Sequence, residues 1–335
     1  MSQKIILTGI TTTGTPHIGN YVGAIRPGIA ASKDAKKKNF YFLADYHALA
    51  KNEDPDKISR STLEIAAAWM ALGLDTEHAT FYRQSDLPEI PELTWILTSM
   101  TAKGLMNRAH AYKAVVQDNV AAGEDPDFGI NMGLFSYPIL MAADILMFGS
   151  THVPVGKDQI QHLEMARDIA QRFNHHYGEI LVLPEAVTDE HVAVLPGKDG
   201  RKMSKSYDNT IPLWLPEKQL RKAIMRIVTN SLEPGEPKDP EGSALFAIYS
   251  AFADAEQRAA MRQAYHDGIA WGEAKKQLFE LVNSELAEAR DNYHRLMEEP
   301  AHIEEALQKG AARARELSEP MIQKVRDAVG ISTIR

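Results

Sequence analysis

The first half of the chain alternates short apolar runs with segments of helical periodicity, and this alternation limits the fold more than any other feature. Short strands that alternate with helices predict a parallel sheet, because the chain must cross over the sheet before it can pair in the same direction. We therefore predict an α/β fold in which helices cover both faces of the sheet. The predicted strands are residues 5–7, 40–44, 80–82, 152–155 and 180–183.

Beyond about residue 210 the strand patterns stop and only helical periodicity continues. The predicted helices of this part are residues 216–231, 244–253, 256–267, 273–298 and 303–329. In the first half, a helix is predicted to begin near residue 18, and further helices are predicted at residues 54–72, 92–103, 134–147 and 158–173. The chain should therefore combine an α/β nucleotide-binding half with an all-α half.

Composition excludes several classes of protein. The chain has 335 residues, a formal net charge of -8 and no cysteine, so disulfides, thiolate metal sites and a cysteine nucleophile are excluded. It has no apolar run near the roughly 20 residues that span a bilayer, and its start lacks a signal-peptide layout, so we expect a cytoplasmic protein without membrane contact. The negative charge disfavours attraction of nucleic acid by the whole surface, and any such contact requires local basic patches.

Residues 13–20, Thr-Gly-Thr-Pro-His-Ile-Gly-Asn, lie between a predicted strand and a predicted helix. Phosphates bind well at such a place, since backbone N–H groups at a helix N-terminus point outward and the helix dipole favours an anion. Gly14 and Gly19 allow a close approach of the backbone, while His17 and Asn20 can donate hydrogen bonds. The motif alone is weak, because an ordinary glycine-containing turn with a surface histidine explains it about equally well.

Residues 202–206, Lys-Met-Ser-Lys-Ser, follow the glycine-flanked segment 197–201. Two ammonium groups on such a loop can close over a polyphosphate and stabilise charge in a transition state. An exposed basic loop is the alternative, but five fixed residues are expected by chance in about one of ten thousand chains. Together the two motifs favour phosphate chemistry.

These two segments resemble the HIGH and KMSKS signatures of class I aminoacyl-tRNA synthetases. Residues 141–146, Met-Ala-Ala-Asp-Ile-Leu, and residues 153–159, Val-Pro-Val-Gly-Lys-Asp-Gln, further resemble the bacterial tryptophanyl branch of that family. The resemblance extends from Ile6 to beyond residue 325. It implies a homodimer that uses ATP with Mg²⁺, L-tryptophan and tRNA(Trp), and that forms an acyl-adenylate before transfer to the tRNA. The Mg²⁺ would be held through the phosphates and not in a protein metal site.

The resemblance also implies a division of the chain. Residues 1–210 would form a Rossmann-like catalytic domain with a connecting insertion at about 105–135. Residues 211–300 would form a helical anticodon-binding domain, and residues 301–335 would be C-terminal helices that could pack back on the catalytic domain. These boundaries are expectations from the family.

The same resemblance assigns roles to individual residues. Catalytic roles fall on His17, Asn20, Lys202, Lys205 and Ser206. ATP contacts fall on Thr11, Thr13, Gly14, His17, Gly19, Asn20, Lys113, Gly156, Asp158, Lys202, Met203, Ser204 and Lys205. Tryptophan contacts fall on Leu7, Gly9, Tyr137, Met141, Asp144, Ile145, Val153, Val155 and Gln159.

Asp144 can also be argued from physics, because it lies in an apolar segment where a carboxylate is costly without a partner. Indole offers one N–H donor on a large apolar body, so a selective pocket needs one buried acceptor. The family assigns this acceptor to Asp144, and phenylalanine would leave it unpaired, which can cost about 10⁴ to 10⁵ in rate. A helix-capping or salt-bridged aspartate is the alternative.

The chain departs from the family pattern in three places. Residues 11–14, Thr-Thr-Thr-Gly, replace the common Gln-Pro-Ser-Gly. The lysine that other members extend toward ATP falls on Val115, so Lys113 is the candidate substitute. Lys157 takes a position usually held by glutamate. These changes affect the details of ATP contact.

Other candidates and functions remain open at this stage. Asp45 and His47 follow a predicted strand and could take part in ligand binding. The pair at residues 175–176 suits a polar helix end better than a metal site. Arg221, Lys222 and Arg226 could contact tRNA, although a solvated helix face explains each one. The alternative functions are a tyrosyl member of the class, a tRNA-binding paralogue, and a nucleotidylyltransferase that acts without tRNA.

Overall fold

The computed structural model describes residues 4–12, 14–34, 36–50, 54–156, 159–187 and 194–332. Its core is a five-stranded sheet in the order β3-β2-β1-β4-β5, and every pairing is parallel, as predicted. The strands are β1 (Ile5–Ile10), β2 (Lys38–Leu43), β3 (Thr80–Arg83), β4 (His152–Pro154) and β5 (Glu185–Val187).

The predicted last strand at residues 180–183 is wrong, because β5 begins at Glu185. Asn174 explains the difference. Its side-chain oxygen accepts the backbone N–H groups of Ile180 and Leu181, and its amide donates to the Leu181 carbonyl. These backbone groups are therefore taken by a side chain, and the apolar run reflects the burial of Leu181 in the core.

Fourteen helices are found in the described residues, in addition to 3₁₀ turns at Gln84–Asp86 and Lys205–Tyr207 and a π-helical segment at Tyr21–Ile25. Those of the first half are α1 (Ile18–Asn20), α2 (Arg26–Ser32), α3 (Asp45–Leu49), α4 (Pro55–Ala71), α5 (Glu89–Met100), α6 (Lys103–Met106), α7 (His110–Ala122), α8 (Met132–Met147) and α9 (Ile160–Tyr177). Those of the second half are α10 (Glu217–Met225), α11 (Ala244–Phe252), α12 (Ala255–His266), α13 (Trp271–Glu298) and α14 (Pro300–Val329). The prediction of helices alone beyond residue 210 is confirmed for the described residues.

Both faces of the sheet are covered by apolar side chains. Along β2 the side chains alternate, so that Phe40 and Phe42 join one buried cluster while Tyr41 and Leu43 join the other. The first of these clusters contains residues of α5, α8 and α9, and the second continues from α4 into α10, α11 and α13. This explains the nearly continuous apolar sequence of the strands.

Helix α14 packs against β3, at the edge of the sheet. The two elements meet at Gly310, where an added Cβ would lie 1.7 Å from the Phe81 carbonyl oxygen. Arg315 donates a hydrogen bond to the Asp86 carbonyl just beyond β3, and Arg326 donates to the carboxylate of Glu92. Within the described ranges, no helix is long and apolar enough to cross a membrane.

The strand order places a topological switch point between β1 and β4. The chain proceeds from β1 to β2 on one side and reaches β4 on the other side, so the loops after β1 and β4 diverge. Ligands of open parallel sheets bind in the crevice that such divergence opens at the carboxyl ends of the strands. A ligand-binding site is therefore expected at the segments that follow Ile10 and Pro154.

Candidate active site

A cleft of about 550 Å³ lies at the carboxyl end of β1. It brings the two sequence motifs together, since residues after β1 form one wall and residues of the Lys202–Lys205 segment form another. The cleft is lined by Thr8, Gly9, Ile10, Thr11, Gly14, Pro16, His17, Gly19, Asn20, Gly23, Ala24, Ile25, Ile65, Trp69, Val194, Leu195, Lys202, Met203, Ser204 and Lys205.

His17 caps the short helix α1 and is held on both sides. Its Nδ1 accepts the backbone N–H of Asn20 at 3.2 Å, and the side-chain oxygen of Asn20 accepts the backbone N–H of His17 at 3.0 Å. Burial, with the nearby charge of Lys205, lowers the pKa of His17 to about 4. The imidazole is therefore neutral at neutral pH with its proton on Nε2, which makes it a hydrogen-bond donor that carries no charge.

The turn that holds His17 is joined to the segment that follows the Lys202–Ser206 loop. Ile18 donates its N–H to the Ile211 carbonyl at 3.0 Å, and Leu213 donates its N–H to the Pro16 carbonyl at 3.0 Å. An added Cβ on Gly19 would lie 3.3 Å from the sulfur of Met203. The two motifs therefore pack closely together, and the lack of a side chain at Gly19 leaves room for Met203.

Gly14 has a φ of 65° and lies beneath the side chain of Lys205. A Cβ at this position would be 3.1 Å from Lys205 Nζ, and the Gly14 N–H donates to the Ser61 hydroxyl at 3.2 Å. Burial lowers the pKa of Lys205, whereas the charge of Glu64 raises it. Glycine is the suitable residue here because the backbone is left-handed and the lysine passes close above it.

Asn209, which our sequence analysis did not single out, organises the loop of residues 202–206. Its side chain accepts the Ser204 N–H at 2.8 Å and donates to Asp199 at 2.7 Å and to the Lys202 carbonyl at 3.0 Å. The side chain is buried, and its Cγ would be only 2.3 Å from a Cβ on Gly197. The hydrogen bonds of this one side-chain amide therefore give the loop a defined internal structure.

Most of the described residues that were predicted to contact ATP lie in the wall of the cleft. Those found in the cleft wall are Thr11, Gly14, His17, Gly19, Asn20, Lys202, Met203, Ser204 and Lys205. Ser206 lies beside the wall, with its hydroxyl 2.7 Å from that of Ser204. Gly156 and Lys113 are not among the lining residues, and Lys113 is exposed on α7. Thr13, Lys157 and Asp158 lie outside the described residues.

Asp144 is buried on α8 at 1% exposure and accepts three hydrogen bonds. The Gln84 amide donates to both carboxylate oxygens at 2.8 and 2.9 Å, and His47 Nε2 lies 2.9 Å from one of them. Burial raises the pKa of Asp144, and the bonds from His47 and Gln84 oppose this shift. Gln84 is itself fixed, because its oxygen accepts the Tyr46 N–H. The carboxylate is therefore held in one orientation among donors.

A second series of hydrogen-bonded polar side chains lies near Asp144. The Tyr137 hydroxyl lies 2.7 Å from Nε2 of His162, whose Nδ1 lies 2.9 Å from the side-chain oxygen of Gln159. The Tyr137 ring meets the edge of His47 with 6.3 Å between ring centroids. The structure thus brings Tyr137 and Gln159 together through His162 and connects them with Asp144 through His47.

The remaining residues expected to contact the amino acid are apolar. Leu7, Ile145 and Val153 are buried in the same cluster, and the half-buried Met141 and Val155 pack against it. Gly9 lies at the floor of the cleft, where an added Cβ would be 3.0 Å from the ring of Phe42. Asp144 is buried and is not among the residues that line the cleft.

Sequence reasoning did not find Gln84, His162 or Glu64. Each acts on a residue far away in the chain: Gln84 is 60 residues from Asp144, and Glu64 is 49 residues from Thr15. The available indication was a polar residue in an apolar stretch. Among the described residues, no group of three His, Asp or Glu side chains could hold a metal ion.

Comparison with known proteins agrees with this geometry. The profile of the family described as tRNA synthetases class I (W and Y) matches residues 2–287. A tryptophan–tRNA ligase of Pseudomonas aeruginosa is 65% identical over 333 residues, which cover 98% of this chain and 74% of that protein. A tryptophan–tRNA ligase of Neisseria meningitidis is 58% identical over 336 residues, with 100% of both chains covered.

Solved structures agree as well. The crystal structure of tryptophanyl-tRNA synthetase from Campylobacter jejuni, complexed with ADP and tryptophan, superposes with a TM-score of 0.89. It is 45% identical and covers 97% of this chain and 99% of that one. The chain therefore belongs to the class I tRNA synthetases for tryptophan and tyrosine, and within them to the tryptophan–tRNA ligases.

Proposed function

We propose that the chain activates L-tryptophan with ATP and then transfers it to the 3′ end of tRNA(Trp). The observation that carries this proposal is the cleft at the switch point, where His17, Lys202 and Lys205 surround a space large enough for a nucleotide. The buried carboxylate of Asp144 is suited to accept an indole N–H. The chain therefore carries groups for phosphate binding and a group for amino acid selection.

In the first step a carboxylate oxygen of tryptophan attacks the α-phosphorus of ATP. The bond between this phosphorus and the bridging oxygen of pyrophosphate breaks, and tryptophanyl-adenylate and pyrophosphate result. The neutral Nε2–H of His17 donates to a phosphate oxygen, and the two loop lysines stabilise charge that develops on the phosphates. No covalent enzyme intermediate is needed, so the residues act by positioning and by electrostatics.

Mg²⁺ would accompany the nucleotide. The described residues that line the cleft include two lysines and a histidine but no carboxylate, so they offer no cage of oxygen ligands. The phosphates themselves would hold the ion, whose chemistry is to neutralise their charge. Asn20 and Ser204 line the cleft with neutral polar side chains that are suited to contact such a complex.

Asp144 is the proposed determinant of amino acid choice. It is buried, held in one orientation by Gln84 and His47, and retains lone pairs for one more donor. Tyr137 and Gln159 would hold the ammonium group of the substrate. Tryptophan supplies the missing donor to the carboxylate, whereas phenylalanine would leave a buried acceptor without one.

Transfer to tRNA requires basic side chains that can reach the phosphate backbone. The stretch from Lys198 to Arg226 contains eight basic and three acidic side chains, in a chain whose net charge is -8. Arg221, Lys222 and Arg226 are exposed on or just after α10. We propose that these three side chains contact the tRNA backbone, and that α10–α13 include the anticodon-binding region.

Triple replacement of Arg221, Lys222 and Arg226 by Gln should raise the KM for tRNA and make this KM less dependent on salt concentration, without affecting tryptophan activation.

We further propose a homodimer that works in the cytoplasm, where tRNA and ATP are found. The support is a group of large apolar side chains exposed between residues 95 and 132, namely Trp95, Val120, Phe128 and Met132. Exposed apolar surface of this kind is typical of a protein interface. Sedimentation of the purified protein tests this proposal: a dimer is expected, and Trp95→Glu should weaken it. A monomer at micromolar concentration would contradict it.

The experiment that tests the function is ATP–pyrophosphate exchange with each of the twenty amino acids in turn. Exchange that depends on tryptophan, followed by charging of tRNA(Trp), is expected. Exchange that depends on tyrosine would instead indicate the tyrosyl alternative. Absence of exchange with every amino acid would indicate a tRNA-binding paralogue without activation chemistry.

A further inference from the structure

Glu64 is a buried carboxylate next to the cleft, and nothing in the reaction described above uses it. It lies on α4 at 8% exposure. One carboxylate oxygen accepts the Thr15 hydroxyl at 2.9 Å, and the other accepts Arg60 Nε at 2.8 Å. A buried carboxylate costs free energy unless other interactions compensate it, so its place against the cleft needs a reason.

The same face of α4 supports the turn beneath Lys205. Ser61, one helical turn before Glu64, accepts the Gly14 N–H, while Glu64 itself accepts the Thr15 hydroxyl. Lys205 passes directly above Gly14. Two side chains of one helix thus bind two consecutive residues of the turn, and the ammonium group of Lys205 lies close to the first of them, Gly14.

The charges of Glu64 and Lys205 interact across this turn. Burial lowers the pKa of Lys205, and the charge of Glu64 opposes this shift, which means that the carboxylate favours the ammonium form in the cleft. Arg60 is largely exposed and neutralises part of the same carboxylate. Because Arg60 is exposed to solvent, water screens its charge more than that of the buried Glu64, so the carboxylate still acts on Lys205.

We infer that Glu64 is a positioning residue that holds Lys205 over the Gly14–Thr15 turn, at the phosphate end of the cleft, before the reaction begins. The inference rests on the proposed function, because it concerns the lysine assigned to phosphate chemistry. A lysine side chain has many rotamers, and an anchored one loses less entropy when it reaches the transition state. Glu64 touches no substrate and acts through Lys205.

Glu64→Gln provides the main test, because glutamine keeps the size of the side chain and an acceptor for Thr15 but removes the charge. In tryptophan-dependent exchange, kcat should fall about five- to tenfold, while the KM for ATP stays the same or decreases slightly. Glu64→Asp should restore part of the rate. Glu319→Gln, at an exposed position on α14, is the matched control for loss of one negative charge and should leave kcat unchanged.

A double-mutant cycle separates positioning from a merely structural role. In the Lys205→Met background, Glu64→Gln should have no further effect on kcat, since the residue through which it acts is gone. An equal loss in both backgrounds, or a rise in the KM for ATP that accounts for the lower kcat/KM, would overturn the inference. Thr15→Val keeps the charge and removes the hydrogen bond, so it should affect kcat less than Glu64→Gln.

A third measurement does not depend on turnover. NMR titration of ¹³C-methylated lysines in the free enzyme should show a lower pKa for Lys205 in Glu64→Gln than in the unmodified protein. An unchanged pKa would also overturn the inference. If the unmodified protein lacked tryptophan-dependent exchange, the proposed function would fail, whereas this titration would still decide whether Glu64 acts on Lys205.

Discussion

Replacing Asp144 by Asn should weaken amino acid selection while leaving the fold as stable as before, or more so. The carboxylate accepts two bonds from Gln84 and one from His47, and burial raises its pKa. An acid whose pKa is raised in the folded state stabilises the fold while protonated and loses that contribution as the pH rises through the folded pKa. The raised pKa therefore makes Asp144 less favourable to the fold at neutral pH than in acid, and the neutral amide removes this cost.

The local structure should tolerate the amide. The side-chain oxygen of Asn can accept from Gln84, and its NH₂ group can donate to Nε2 of His47 if the histidine proton moves to Nδ1. The bond from the indole N–H, however, would then reach a neutral acceptor. Bonds to charged groups contribute about 1.5–3 kcal/mol and neutral ones about 0.5–1.5 kcal/mol, so the loss is about 1–1.5 kcal/mol. This corresponds to about a tenfold lower kcat/KM for tryptophan.

The assay is ATP–pyrophosphate exchange with tryptophan and with phenylalanine, together with thermal unfolding at pH 5.5 and pH 8. The tryptophan-to-phenylalanine ratio of kcat/KM should fall at least about tenfold, since phenylalanine no longer leaves a charged acceptor unpaired. The melting temperature should be equal or higher than that of the unmodified protein, and more so at pH 8. Asp168→Asn, at an exposed position on α9, is the control. A strong loss of stability with unchanged selectivity would refute the reasoning.

Three further predictions concern the cleft. Gly14→Ala should slow adenylate formation at least about tenfold in single-turnover experiments, because its left-handed backbone costs about 1–2 kcal/mol and its Cβ would displace Lys205; an unchanged rate would contradict this contact. Asn209→Ala should speed tryptic cleavage at Lys202 and Lys205, since the loop loses its internal bonds; equal cleavage would show that the loop is held otherwise. Because the pKa of His17 is lowered from 6.5 to about 4, its contribution to stability is present above pH 6.5 and lost as the pH falls toward 4. Urea unfolding should show that the free energy of unfolding decreases by about 2 kcal/mol over this pH range, after allowance for solvent screening. His17→Asn should make this decrease smaller.

The first four strands, the helices of the second half and a site after the first strand could all be predicted from the sequence. Strand and helix periodicities are local, so each can be recognised within one segment of the chain. The location of a site after β1 follows from the parallel order of strands alone. The 3.2 Å bond between Asn20 N and His17 Nδ1 also concerns neighbours in the chain, so the capped turn is a local feature.

What could not be predicted depends on side chains that meet from distant parts of the chain. Asn174 displaces the last strand because its amide occupies the backbone of residues 180–181, and no pattern within that run indicates it. Gln84 and His162 orient Asp144 and Tyr137 only once the helices have packed. Lys113 differs from these cases, since the family resemblance suggested it as a substitute for the lysine that falls on Val115, and it is not among the residues that line the cleft.

The contact between α14 and the outer strand of the sheet also affects how the protein is made. During synthesis β3 emerges long before Gly310, so its free edge stays open until the last helix can dock on it. An open strand edge is a template for pairing with other chains, and N-terminal parts generally fold first. A chain cut short before residue 300 would therefore carry a complete nucleotide cleft and an unprotected edge. Such a product should aggregate even though every residue of its cleft is present.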